Sequence, residues 1–226
     1  MSDRWVVIDV GETLIDETRI WSTWADVLGV SRLTLLAVLG ATIARGGDFR
    51  DPLALFGGED WRQRIPEVEV AFGGFTAADL YPDAARSIDT LRAAGYRVAI
   101  VANQPAIRDE QLRASGIEAE VMAMSDAMGV AKPDPAFFAR TLELIGSPQP
   151  GDVAYVGDRV DNDVLPAIAA GLRAIWIRRG PWGVIQELPD GTRPALVIAT
   201  LDELVERIGD VWRSPKMQRA GSAASP

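Results

Sequence analysis

The sequence predicts an α/β protein: a doubly wound parallel sheet with a small helical domain inserted after its first strand. Two observations carry that expectation. Apolar, β-branched runs recur along the 226 residues, each followed by a turn signal and a helical pattern, as βαβ units require. The interval from about residue 17 to residue 80 breaks this rhythm, with helical periodicity but no convincing buried strand. A hydrophobic content of 48% is enough to give both parts a core.

Taken in order, Trp5 to Val10 is the first strand. The insertion then opens with helices over Thr18 to Leu28 and Ser31 to Arg45, and the Gly46-Gly47 and Gly57-Gly58 pairs punctuate the remainder of it. The sheet pattern resumes with a helix over Asp83 to Ala94, a strand over Arg97 to Ala102 and a helix over Ile107 to Ser115. Further strands are read at Val153 to Val156 and Arg173 to Ile177, with shorter candidates at Glu118 to Ala123 and Leu196 to Ala199. Helices are read over Pro135 to Ile145, Asp163 to Ala170 and Leu201 to Val211, several of them opened by Asp, Ser or Pro. The expected division is residues 1–16 and 81–213 for the sheet domain and 17–80 for the helical one. Residues 214–226 carry too little apolar content to fold and are expected to be disordered.

Composition narrows the chemistry. A formal net charge of −9 argues against a nucleic-acid partner, which needs clustered Lys and Arg. No apolar run reaches the roughly 20 residues of a membrane span, and the N-terminus lacks a signal-peptide pattern, so a cytoplasmic location without membrane attachment is expected. Zero Cys removes disulfides and thiolates. Zero His removes imidazole ligands and histidine-based triads. What remains is carboxylate, hydroxyl, amine or hard-metal chemistry, and oxygen ligands select Mg²⁺ or Ca²⁺.

Four segments carry such groups. VVIDVGETL delivers Asp9 to the C-terminal edge of the sheet, where open α/β folds bind ligands, although a lone aspartate there is more often a residue that shapes the strand end. VAIVANQP brings Ala102 and Asn103 to the same edge, where backbone N–H groups and the Asn amide could hold an oxyanion, or form an ordinary turn. GVAKPDP offers Lys132 before a proline-started helix, either beside the carboxylates or at the surface. VAYVGDRVDNDVLPA is the most specific, because Asp158, Asp161 and Asp163 fall within six residues and repel one another unless a cation joins them. Asp161 is expected to face solvent, and Asp158 and Asp163 to hold metal rather than only cap a helix.

With IDVGETL, IVANQ, Lys132-Pro133 and VGDRVDND in this order, the chain resembles the haloacid dehalogenase-like superfamily over about Trp5 to Ile177. The resemblance implies a Rossmann-type core with a helical cap between the first and second motifs. It also implies a Mg²⁺-dependent phosphohydrolase acting on a small phosphorylated metabolite; apart from that, no partner is required by the sequence, and a monomer or a homodimer through apolar surface of the insertion is expected. Asp9 would be the nucleophile, forming an aspartyl-phosphate, with Lys132 as its catalytic partner. Asp9, the Gly11 carbonyl, Asp158 and Asp163 would hold the metal, Asp163 directly or from behind. Gly11, Glu12, Ala102 and Asn103 would surround the substrate.

Two departures stand against that pattern. Phosphatases of the family usually carry a second aspartate two positions after the nucleophile as general acid and base, and here that position is Gly11. Losing a general acid costs about 10² to 10⁴ in rate, and Glu12 is the nearest carboxylate in sequence. Ala102 stands where the family usually has Ser or Thr, forfeiting a hydrogen bond to an anion worth about 1.5 to 3 kcal/mol. These losses keep two alternatives open: a dehalogenase-type hydrolase attacking carbon, and a non-catalytic or regulatory binding protein. A phosphonatase is disfavoured because Lys132 and Lys216 are the only lysines, leaving none in the insertion for an imine. Arg19, Trp21, Trp24, Trp61 and Arg62 are candidates to line the pocket, with at least half of the tryptophans expected simply to pack. Gly73-Gly74 is a candidate hinge, and Trp176 and Trp182 are read as packing residues.

Overall fold

The computed structural model describes residues 4–213, so the expected disorder of residues 214–226 lies outside the described residues. Strand β1 (Trp5–Ile8) leads into four helices, α1 (Thr18–Leu28), α2 (Arg32–Ala44), α3 (Arg50–Gly57) and α4 (Ile65–Phe72). The chain then continues through α5 (Ala84–Ala93), β2 (Arg97–Ala102), α6 (Arg108–Ala114), β3 (Val121–Met124), α7 (Ser125–Met128) and α8 (Pro135–Leu144). It closes with β4 (Val153–Gly157), α9 (Leu165–Ala169), β5 (Arg173–Ile177), α10 (Gly180–Ile185), β6 (Leu196–Ile198) and α11 (Leu201–Arg207).

All six strands are parallel, in the order β3-β2-β1-β4-β5-β6. Strand residues alternate between two apolar layers, as a sheet covered on both faces demands. Val6 and Ile8 pack with Ile88 and Leu91 of α5, Leu112 of α6 and Leu201 and Leu204 of α11. Trp5 and Val7 pack on the opposite face with Phe137 and Phe138 of α8 and Ala167 of α9. The helices between β1 and α5 form a third cluster around Trp21, Ala25, Leu35, Leu39, Ile43, Leu53 and Trp61, which Trp182 of α10 joins.

The insertion leaves and re-enters the chain at one point. Asp16 N–H donates to the Asp79 carbonyl, Tyr81 N–H donates to the Leu14 carbonyl, and Ile15 bridges Leu80 in antiparallel fashion. Arg19 reinforces this clasp through its ion pair with Asp79 and hydrogen bonds to the carbonyls of Phe72 and Gly74.

The sequence-predicted strands are all present, β2 and β5 with the expected bounds and the other four with shifted ends. β1 stops at Ile8 rather than Val10, because Val10 turns its carbonyl to the N–H groups of Leu14 and Ile15. The expected helix over 163–170 begins instead as a π-helical turn, Val160–Val164, and becomes α-helical only at Leu165. α3, α4 and α10 are elements that the sequence pattern does not announce. Among the described residues no single helix is long and apolar enough to cross a membrane.

Candidate active site

The strand order reverses between β1 and β4, and parallel sheets open a crevice at the carboxyl ends of such a pair. Asp9 follows β1 and Asp158 follows β4, so the two aspartates flank that crevice. Asp9 N–H is tied to the Val156 carbonyl at 2.9 Å, which extends the register of the two strands to the carboxylate itself. Gly157 is required here: a Cβ would stand 2.3 Å from Cγ of Asp163. Its absence lets the π-helical turn fold back beneath the strand end. The indole N–H of Trp176 fixes the same loop by donating to the Asp158 carbonyl at 2.8 Å.

Asp9, Asp158 and Asp163 are all buried and offer carboxylate oxygens within 4.8 Å of one another. Lys132 Nζ donates to Oδ1 of Asp9 and to Oδ1 of Asp163, each at 2.6 Å. The second oxygen of Asp163 accepts from Arg159 N–H at 2.9 Å, so both of its oxygens are engaged. Oδ2 of Asp158, by contrast, is buried with no hydrogen-bond partner among the described residues. Burial alone would lower the Lys132 ammonium, but the adjacent carboxylates of Asp163 and Asp9 hold it well above its ordinary value. Burial, with repulsion from Asp163 and Asp9, pushes Asp158 well above the usual carboxylate range. Asp161 is exposed and pairs with Arg159.

Asn103 holds the loop that carries Lys132. Its amide oxygen accepts from Lys132 N–H at 2.7 Å and its Nδ2 donates to the Lys132 carbonyl at 2.9 Å. The side chain therefore clamps the Lys132 loop through its oxygen and one N–H, and it also lines the cavity, where its second N–H remains a donor. Ala102 ends β2 fully buried and contributes no hydroxyl.

Glu12 lines the cavity with its carboxylate held on both sides. It adopts a positive φ of 51°, unusual for a residue with a side chain. Its carboxylate accepts from the Tyr81 hydroxyl at 2.5 Å and from Glu17 N–H at 3.1 Å, so both oxygens are occupied. The carboxylate beside Gly11 is instead that of Glu17, at the N-terminus of α1. Its Oε1 lies 2.4 Å from where a Cβ on Gly11 would stand. Desolvation, followed by repulsion from Glu12 and Asp9, pushes Glu17 up to about 7. No local sequence pattern marks Glu17; the one available signal is an acidic residue at the first turn of the insertion.

Asp9, Gly11, Glu17, Asn103, Lys132 and Asp158 line a cavity of about 420 Å³ whose walls include Ile20, Trp21, Trp24, Trp61, Phe75 and Trp182, whereas Asp163 and Ala102 lie behind its surface. Arg19 and Arg62 do not line it: Arg19 serves the clasp, and exposed Arg62 lies over the Trp61 ring. Trp182, expected only to pack, does both. Among the described residues two further cations reach the cavity, and each is already paired, Arg108 with Glu69 and Arg159 with Asp161.

The phosphoserine phosphatase of Thermus thermophilus is 32% identical over 171 residues, covering 70% of this chain and 68% of that protein. The glyceraldehyde 3-phosphate phosphatase of Methanopyrus kandleri is 30% identical over 134 residues, and the match spans only 57% of its length. Among solved structures, a HAD phosphatase from Thermococcus onnurineus superposes with a TM-score of 0.59 at 24% identity, covering 92% of this chain and 98% of that one. The L-2-haloacid dehalogenase of Xanthobacter autotrophicus superposes with a TM-score of 0.65 at 21% identity, covering 91% and 98%. At those identities the structures share the fold alone. The family model for haloacid dehalogenase-like hydrolases matches residues 4–171, and the chain belongs to that family of hydrolases.

Proposed function

We propose that this chain is a Mg²⁺-dependent phosphohydrolase that uses Asp9 as nucleophile on a small phosphate ester with an apolar body. The observation that carries the reading is the buried cluster at the cavity floor. Three carboxylates cluster there, two of them on the one ammonium of Lys132, and Oδ2 of Asp158 has no partner among the described residues. Such an oxygen-only, negatively unbalanced donor set fits a hard divalent cation. Asp9, Asp158 and the Gly11 carbonyl would hold Mg²⁺, with Asp163 behind them because both of its oxygens are already engaged. When bound, the ion supplies charge neutralisation at the phosphoryl oxygens. Asp9 attacks phosphorus in line and forms an aspartyl-phosphate, which water then cleaves. Lys132 fixes the attacking carboxylate and offers its charge to the transferring group. The helices of residues 17–80 act as a cap that covers the cavity, with Gly73-Gly74, both at positive φ, at its return to the sheet.

The cavity wall supports the substrate class. It is mostly aromatic and aliphatic, and its cations beyond Lys132 are already paired with carboxylates. A second anionic group on the substrate has no free cationic partner there among the described residues, so an aryl or alkyl phosphate fits better than an amino-acid phosphate such as phosphoserine. Gly11 and the apolar wall would also suit hydrolysis at carbon, but unpaired Asp158 has no use in a metal-free attack.

The test is phosphate release from phenyl phosphate, acetyl phosphate and phosphoserine, in Mg²⁺ or EDTA, with Mg²⁺ binding followed by calorimetry. Turnover that depends on Mg²⁺ and favours phenyl phosphate is expected. Folded, Mg²⁺-binding protein that releases phosphate from none of the three would overturn the reading. Trp24, only partly buried and edge-on to Trp61 at 5.6 Å, gives a second check. Trp24→Ala should raise KM for phenyl phosphate roughly tenfold through lost apolar contact, with kcat little altered.

A further inference from the structure

Resting on the phosphohydrolase reading, the geometry leaves one question of chemistry. Transfer of a phosphoryl group from an alkyl ester to Asp9 expels an alkoxide, which must receive a proton as the bond breaks. With no histidine in the chain, the donor must be another acid lining the cavity.

Most of the candidates are already engaged. Asp9 is consumed as nucleophile. Asp158 and Asp163 belong to the cation cluster, and Lys132 lies between Asp9 and Asp163 in two short hydrogen bonds. Glu12 has both oxygens occupied by Tyr81 and the Glu17 N–H. Glu69 is held by Arg108 through both of its oxygens, at 2.8 and 2.7 Å. Glu17 is different. Its carboxylate has a single long hydrogen bond, from Gln104 Nε2 at 3.4 Å, and it lines the same cavity as Asp9. Its Oε1 occupies the space that any side chain at position 11 would fill, so the glycine and the carboxylate form one complementary unit. One turn further along α1, the Trp21 indole nitrogen lies near Glu17 without completing a hydrogen bond, and its ring lines the cavity. That leaves a buried donor for a ligand beside the carboxylate.

We propose that Glu17 is the catalytic acid and base of this enzyme, delivered to the nucleophile by the first helix of the insertion. In the first step the Asp9 Oδ–P bond forms, the ester P–O bond breaks, and the Glu17 carboxyl proton passes to the departing oxygen. In the second, a water oxygen bonds to phosphorus, the Asp9–P bond breaks, and the water proton returns to the Glu17 carboxylate. Nothing else is consumed.

The experiment compares wild type with Glu17→Gln on two esters, 4-nitrophenyl phosphate, whose leaving group needs little protonation, and 3-phenylpropyl phosphate, whose alkoxide needs it. The variant should lose about 10² to 10⁴ in kcat/KM on the alkyl ester and tenfold or less on the nitrophenyl ester. It should also accumulate phosphorylated Asp9, seen by intact mass after rapid quench with 4-nitrophenyl phosphate, because the second step loses its base. Equal losses on the two esters, or none on either, would overturn the assignment of Glu17 while leaving the phosphohydrolase reading intact. Wild type inactive on both esters would overturn that reading, and this proposal with it. Gly11→Asp combined with Glu17→Gly supplies a second variant: it puts a carboxylate back into the same space from the other side. It should recover alkyl ester turnover at least tenfold above Glu17→Gln, and no recovery would count against the proposed division of space.

Discussion

Asp9→Asn is expected to abolish turnover, with a loss on the order of 10⁴ to 10⁶, because an amide cannot act as the attacking oxygen. The same substitution should not harm the fold. Asp9 is one of three clustered buried carboxylates, of which only Asp9 and Asp163 pair with Lys132, so neutralising it reduces repulsion within the cluster. An Asn oxygen can still accept from Lys132 Nζ, and Asp163 remains as the charged partner of that lysine. Phosphate release and thermal melting therefore separate the two roles: activity should vanish while Tm stays level or rises. Retained activity would place the nucleophile elsewhere. A collapse of Tm would mean that Asp9 chiefly balances Lys132.

Asp83→Asn should give the largest change in stability, about 3 to 5 kcal/mol by urea denaturation. Asp83 opens α5 and is buried against Arg179, which follows β5. The guanidinium donates to both Asp83 oxygens and to the Thr13 carbonyl at 3.0 Å, while Asp83 also accepts from Leu201 N–H at 2.8 Å. Four parts of the chain meet in this pair: the turn after β1, α5, the end of β5 and the start of α11. Removing the carboxylate charge strands a guanidinium away from water, which costs far more than the pair itself contributes. Arg179→Met with Asp83→Leu should accordingly lie closer to wild type than Asp83→Asn alone. A loss below about 1 kcal/mol in the single variant would show that Arg179 reaches solvent.

The parts of the site that are legible in the sequence are those written locally. Asp9 and Asp158 directly follow the β-branched runs of β1 and β4, and Asp163 lies in the turn just beyond, so strand period and turn chemistry bring them to one edge. Lys132 can be named from its motif, but its partners cannot, because its Nζ meets residues 123 and 31 positions away. The same distance explains Asn103, whose amide is claimed by the Lys132 main chain across 29 residues. Glu17 is hidden because its placement depends on a missing side chain at Gly11, and an absence leaves no pattern to read. In the insertion, α3 and α4 are only eight residues each, too short for periodicity to stand out from the glycine pairs around them. Trp182 reads as packing alone because nothing in its neighbouring residues shows that the α2 side of the insertion rests on α10.

The clasp that joins residues 14–16 to 79–81 also bears on how the chain finds its fold. Without it, pairing Trp5 with Arg97 means closing a loop of roughly ninety residues before the first sheet hydrogen bond forms. Once Leu14, Ile15 and Asp16 have met Asp79, Leu80 and Tyr81, the loop still to be closed shrinks to roughly a third of that length. At about 0.6 kcal/mol for each halving, the entropic cost of docking β1 on β2 falls by about 1 kcal/mol. The insertion then becomes a side loop that the sheet can assemble around, and its length imposes little penalty on the rate at which the parallel strands find their register.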